Sequence, residues 1–349
     1  MAYSLSEKAA RLTPYEPIAG DYRVRLDANE SFLPTAEEML PDLQKALTGA
    51  ALNRYPDPSA AGVCNAFARY YQIDPDCVTA GNGSDELISV VVNTFLQKGD
   101  TALVVSPDFS MYSFYLALAE AECVTLEKGD DFTLSADEVL SLLRQSRSRM
   151  LLFSNPCNPT GQGMNKEDVL RIVRGTDSLV VLDEAYMDFW DEGESLLGEA
   201  AQYDNLIVLR TCSKMMGLAG LRLGFAVAGE TLTRVLRGAK SPYNVNVLTQ
   251  LAGEAALSHP DTIRRGQRQI LQAKEELVKA LATLPLREGE SFLPTKTNFA
   301  VLRTPRAGAL FAALRERSII VRCFPGFLRI TVGSPQENAE LIRALREIL

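Results

Sequence analysis

Between about residue 80 and residue 228 the chain alternates short apolar runs with amphipathic or capped stretches. The runs Thr101–Ser106, Met150–Ser154, Leu179–Asp183, Leu206–Arg210 and Phe225–Ala228 are rich in Val, Leu and Ile. Continuous apolar runs of this length, separated by helical stretches, predict strands buried on both faces in a parallel sheet. After Pro242 the pattern changes. Ile263, Ile270, Leu277 and Leu281 fall near helical spacing, and Phe299–Arg303, Ile319–Arg322 and Leu328–Val332 read as strands before a closing helix over Pro335–Leu349. The order predicts a large α/β domain with a mostly parallel central sheet sandwiched by helices, then a smaller α+β domain. Pro14, Pro17, Pro34 and Pro41 break the periodicity of the first stretch. The expected division is therefore 1–40 as an arm that joins the small domain, 41–245 as the large domain and 246–349 as the small one.

Composition narrows the chemistry more than the fold. The 349 residues carry 36 Lys plus Arg against 44 Asp plus Glu, a net charge of −8 that repels a phosphate backbone, so no nucleic-acid partner is expected. Cys64, Cys77, Cys123, Cys157, Cys212 and Cys323 form no CxxC pair and read as free buried thiols in a reducing compartment. His259 is the only histidine, which removes Ser-His-Asp triads, Cys-His dyads and multi-histidine metal sites; no metal is expected. Catalysis is left to Lys, Asp, Tyr or Arg. No stretch approaches the roughly 20 apolar residues of a membrane span, and Met1 to Leu12 lacks a long apolar core, so a cytoplasmic protein is expected with no membrane partner.

Four segments can carry chemistry, and each has a plainer alternative. Gly81-Asn82-Gly83-Ser84-Asp85-Glu86 opens an apolar helix pattern; with Ser84 as N-cap the helix start could hold a phosphate, or be only a capped turn. It lacks the third glycine of a dinucleotide fingerprint and the Gly-Lys-Ser/Thr end of a P-loop. Ser154-Asn155-Pro156-Cys157-Asn158-Pro159-Thr160-Gly161 follows a buried strand, where open α/β sheets put ligands; it could equally be a turn built for shape. Asp183 ends another strand and, if buried, wants a cation or a protonated nitrogen, unless it only anchors a loop. Lys214, flanked by Thr211 and Ser213 and followed by Arg222, suits an imine to a phosphorylated cofactor; the alternative is a solvated surface charge.

Together Gly83-Ser84-Asp85-Glu86, Asn158-Pro159-Thr160-Gly161, Asp183-Glu184-Ala185-Tyr186 and Ser213-Lys214 with Arg222 resemble the fold-type I pyridoxal-phosphate aminotransferases. Leu12-Thr13-Pro14-Tyr15, Leu26-Asp27-Ala28-Asn29-Glu30, Arg54-Tyr55-Pro56, Pro242-Tyr243-Asn244-Val245-Asn246 and Leu328-Arg329-Ile330-Thr331-Val332-Gly333 are similar to the histidinol-phosphate branch of that family, over nearly the whole chain. The resemblance implies pyridoxal 5'-phosphate as cofactor, with Lys214 as the Schiff-base lysine and proton carrier and Asp183 against the pyridine nitrogen. It implies Asn158 and Tyr186 at the cofactor's phenolic oxygen and Tyr112 stacked on the ring. Amides of Ser84 and Asp85, hydroxyls of Thr211 and Ser213 and the guanidinium of Arg222 would form the phosphate cup.

For substrates the resemblance implies Tyr15, Asn158, Arg322 and Arg329, the last as the fork for the substrate's anion. Tyr55 would reach into the site of a second copy, making the active unit a homodimer. The implied reaction is transamination of L-histidinol phosphate with 2-oxoglutarate, giving imidazole-acetol phosphate and glutamate. Threonine-phosphate decarboxylases and aromatic amino-acid aminotransferases share the scaffold and stand as alternatives. Two departures are visible: Cys212 stands where relatives usually carry a larger apolar residue, and the connection Cys323–Phe327 is short.

Overall fold

The computed structural model describes residues 3–10, 12–14 and 18–349. These form two sheets. In chain order, β1 (Val24–Leu26) belongs to the smaller; β2 (Val78–Gly81), β3 (Thr101–Ser106), β4 (Glu122–Glu127), β5 (Met150–Ser154), β6 (Leu179–Asp183), β7 (Leu206–Thr211) and β8 (Gly224–Val227) build the larger; β9 (Ser291–Leu293), β10 (Phe299–Arg303), β11 (Ile319–Phe324) and β12 (Phe327–Thr331) return to the smaller.

The larger sheet has the order β2-β8-β7-β6-β5-β3-β4. From β7 to β4 every pairing is parallel, while β8 runs antiparallel to both of its neighbours. Successive side chains leave a strand on opposite faces, and here both faces are covered. Val104, Leu152, Val181 and Ile207 pack with Leu87, Ile88, Val91 and Val92 of the helix Ser84–Phe95. Leu103, Leu151, Val180 and Val208 meet Phe67, Val139 and Ile172 from helices on the other side. That double burial is why these strands read as unbroken apolar runs. β4 is the exception: it is the edge strand, its outward residues are exposed, and its sequence Glu-Cys-Val-Thr-Leu-Glu gives no such run. Cys123 on β4 is accordingly exposed; among the six free cysteines only Cys64, Cys157 and Cys212 are buried, which corrects the expectation of uniformly buried thiols.

The smaller sheet has the order β1-β11-β12-β10-β9, antiparallel except that β1 lies parallel to β11. Residues 24–26 from the arm therefore pair with residues 319–321 near the other end of the chain. The terminal helix Pro335–Ile348 starts with a capping box, Ser334 and Glu337 each satisfying the other's backbone amide, and buries Leu341 and Leu345 against this sheet's core. The 22-residue helix Pro260–Leu281 joins the two halves. Ile263 and Ile270 lie in the large core, and Ala273, Leu277 and Leu281 in the small one. No helix among the described residues is long and apolar enough to cross a membrane.

Candidate active site

The parallel strands β5, β6 and β7 deliver Ser154, Asp183 and Thr211 to one edge of the sheet. Above that edge lies a cleft of about 380 Å³ whose wall includes Asn158, Asp183, Tyr186, Ser213, Lys214 and Arg222. The carboxyl ends of parallel strands are where open α/β sheets bind ligands, because the loops there diverge.

Asp183 forms part of the floor. Its Oδ1 accepts the Ala185 amide at 3.0 Å and its Oδ2 accepts the Tyr112 hydroxyl at 3.0 Å. Burial outweighs these two bonds and pushes the carboxyl up to about 6, with Asp108 and Glu184 adding like charge. A cation placed against Asp183 would reverse that shift. Lys214 follows β7 by three residues; its Nζ donates to the Ala28 carbonyl at 3.2 Å and lies 5.8 Å from the centre of the Tyr186 ring. Tyr186 is fixed in turn, its hydroxyl accepting Asn29 Nδ2 at 2.8 Å. Lys214 and Asp183, the two essential residues of the sequence reading, thus face the same cleft.

At the cleft's other end an anion cradle takes shape. Gly83, at φ +84°, is the N-cap of the helix Ser84–Phe95, and Ser84 is its first residue. This corrects the expectation that Ser84 caps the helix. The reason is space: a Cβ on Gly83 would come within 2.7 Å of Arg222 Nη2, and one on Gly224 within 2.3 Å of the Ser84 nitrogen. Only backbone fits, so helix-start N–H groups meet the guanidinium of Arg222 and the hydroxyls of Thr211 and Ser213, which bond each other at 3.0 Å.

The opposing wall comes from the two ends of the chain. Arg329 on β12 is buried, donating to Asn158 Oδ1 and to the Asp27 carbonyl, with its guanidinium 5.5 Å from the Phe299 ring centre. Arg322 is its register partner on β11, so both leave the sheet on one face; neither arginine is among the residues lining the cleft, and Arg329 meets it through its bond to Asn158. Tyr55 is 80% exposed, stacked on Tyr243 at 4.5 Å, and takes no part in this chain's own cleft. Tyr15 lies outside the described residues.

Tyr112 requires a correction. It is fully buried in the core behind the floor and bonds Asp183, and it is Phe109 that lines the cleft, together with Tyr186. Tyr112 is in the first turn of the helix Met111–Leu118, which directs it inward, whereas Phe109 precedes that helix. Sequence reasoning also missed Asn29, which accepts the Thr331 hydroxyl at 2.9 Å and holds Tyr186. It missed Asp108 as well, which accepts the Ser154 amide and hydroxyl while Ser154 Oγ accepts the Asn158 amide. The one available signal was the Asp27-Ala28-Asn29-Glu30 motif, whose contacts lie far away in sequence.

A cleft that joins a lysine, a buried acid awaiting a cation and a backbone-lined anion cradle is the equipment of an aminotransferase. The chain belongs to the family described as aminotransferase class I and II, whose profile matches residues 23–345. Within that family it is 37% identical over 338 residues to the histidinol-phosphate aminotransferase of Clostridium novyi (strain NT), covering 95% of this chain and 94% of the relative. It is 36% identical over 344 residues to the enzyme of the same name from Clostridium kluyveri, covering 97% of each. In fold it resembles the crystal structure of histidinol-phosphate aminotransferase from Sinorhizobium meliloti in complex with pyridoxal-5'-phosphate, with a TM-score of 0.88, 22% identity and coverage of 99% of this chain and 98% of that one. The architecture is that of the fold-type I aminotransferases. The donor set fits such a cofactor: the cradle suits its phosphate, Asp183 its ring nitrogen and Lys214 its aldehyde.

Proposed function

We propose that this protein transfers the amino group of L-histidinol phosphate to 2-oxoglutarate, using pyridoxal 5'-phosphate, as a step of histidine biosynthesis. One observation carries the reading: Lys214 and Asp183, from loops and strands that are neighbours in the sheet, open on a single cleft beside a backbone-lined anion cradle. When bound, the cofactor supplies an aldehyde for the substrate's nitrogen and a ring that accepts the electron pair left at the substrate's Cα.

The chain's own residues do the rest. Lys214 Nζ moves the proton between the substrate's Cα and the cofactor's C4′. Asp183, ionised against the ring nitrogen, keeps that nitrogen protonated, and the Tyr112 and Ala185 bonds fix its carboxyl. Asn158 and Tyr186, which line the cleft, would hold the cofactor's phenolic oxygen, and Phe109, in place of Tyr112, would pack against its ring. Ser84, Asp85, Thr211, Ser213 and Arg222 hold the cofactor's phosphate. Arg329, with Arg322 beside it, receives the substrate's anion; a planar fork serves a phosphate and a carboxylate in turn.

The exposure of Tyr55, with Leu47, Leu52, Tyr243 and Leu248 also exposed, supports a homodimer in which Tyr55 completes the neighbouring copy's site. The pairing of β1 with β11 supports an arm of residues 1–40 attached to a small domain of 246–349, with 41–245 as the cofactor-binding domain. A biosynthetic role supports a cytoplasmic location. The test is a side-by-side assay with histidinol phosphate, threonine phosphate and phenylalanine. Glutamate formed from histidinol phosphate and 2-oxoglutarate supports the reading; carbon dioxide released from threonine phosphate without a keto product, or turnover of phenylalanine alone, replaces it with one of the two alternatives.

A further inference from the structure

The arm segment Asp27-Ala28-Asn29-Glu30 forms one side of the cleft, and its first three residues are all engaged. The Asp27 carbonyl accepts from Arg329, the Ala28 carbonyl from Lys214, and Asn29 bonds Tyr186 and Thr331. Glu30 is different. Its residue lines the same cleft, yet among the described residues its carboxylate has neither hydrogen bond nor ion pair. Among the described residues three acidic ones line the cleft, and two already have partners: Asp183 accepts the Tyr112 hydroxyl and Asp85 Oδ2 accepts the Tyr115 hydroxyl at 2.9 Å. Among these described acids Glu30, exposed at the mouth of the cleft, is the one whose full acceptor capacity is open to a ligand.

Accepting the proposed reaction, the two amine donors differ in what they present to that acid. Glutamate brings a second carboxylate, which Glu30 repels. Histidinol phosphate brings an imidazole, an N–H donor whose ordinary pKa of about 6.5 makes it partly cationic near neutrality. We infer that Glu30 is a specificity-determining residue, its carboxylate taking the ring N–H of the imidazole-bearing substrate and disfavouring the dicarboxylic one. Arg329 and the anion cradle recognise groups that both reactions share, so they cannot make this distinction. A hydrogen bond to a charged acceptor, lost while the shape is kept, is a change large enough to read in kinetics.

The two half-reactions of the cofactor-loaded enzyme separate the donors, since each can be followed alone by the cofactor's absorbance. Glu30→Gln keeps volume and removes the charge; Glu30→Ala is the second variant, and retained cofactor and an unchanged unfolding temperature control for folding. The ratio of kcat/KM for histidinol phosphate to kcat/KM for glutamate should fall about tenfold in both variants. An unchanged or raised ratio overturns the inference and leaves the proposed reaction standing. If the unaltered protein does not turn over histidinol phosphate, the reading beneath the inference fails and the inference falls with it.

Discussion

The floor and the wall of the cleft are built in opposite ways. The floor takes Ser154, Asp183 and Thr211 from the ends of adjacent parallel strands, and its bonds are mostly short-range: Asp183 to Ala185, Thr211 to Ser213. The wall is stitched from the chain's two ends, through contacts such as Arg329 to Asp27 and Thr331 to Asn29, both 302 residues apart. The chemistry that any member of the family performs belongs to the floor, which is fixed by the large sheet. Recognition of a particular substrate belongs to the wall, which depends on the arm and small sheet meeting correctly.

If that division holds, damage to the floor should stop the reaction and damage to the wall should weaken binding. The largest effect is expected for Lys214→Ala: kcat should fall by about 10⁴-fold or more. Borohydride treatment of the loaded enzyme should fix cofactor mass on the Lys214 peptide of the unaltered protein and not in the variant, as read by mass spectrometry. On the wall, Arg329→Ala should raise KM for both substrates by about 100-fold, the scale for truncating one partner of a buried charged contact, with a smaller change in kcat. Steady-state kinetics decide it; a KM change confined to one substrate would assign the other anion to Arg322.

The smallest effect tests how the floor is supported. Tyr112 donates to Asp183 and favours its ionised form. Tyr112→Phe should therefore move the acidic limb of the kcat–pH profile to higher pH and lower kcat about tenfold. The same carboxyl sets a sign for stability. Folding raises it from about 3.9 in the unfolded chain to about 6, so the folded protein holds a proton that the unfolded chain has released. Without cofactor the protein should lose stability as pH rises between about 4 and 6, by about 3 kcal/mol in all, and the loss persists above that range. Asp183→Asn, compared by chemical denaturation across these pH values, should lack this contribution.

The floor was legible in the sequence for the reason that makes it rigid. Strands buried on both faces write themselves as apolar runs, and the residues that end them are the ones delivered to the cleft, as Asp183 is. β4, half exposed at the sheet's edge, left no such mark. The sequence also pointed to Tyr112 for the cleft wall, where the structure has Phe109. They are two aromatic residues three positions apart, and the choice depends on where the helix Met111–Leu118 begins. Asn29 was visible as part of a motif, but its task is set by partners such as Tyr186, 157 residues away. Similarly, Gly83 and not Ser84 caps the cradle helix because of the approach of Arg222, a tertiary constraint.

The 22-residue helix Pro260–Leu281 makes the link between the halves a beam instead of a tether. At 1.5 Å per residue it is about 33 Å long, gripped near one end through Ile263 and Ile270 and near the other through Leu277 and Leu281. A beam seated at both ends cannot let the small sheet swing independently. A change in the width of the cleft strains the span between Ile270 and Ala273 as well as the packing of Phe299, Val301 and Phe327 of the small sheet into the large core. The stiffness of this helix thus acts on the aperture above Lys214 together with the bonds that join wall to floor, and substitutions along that span, far from any substrate, are placed to tune it.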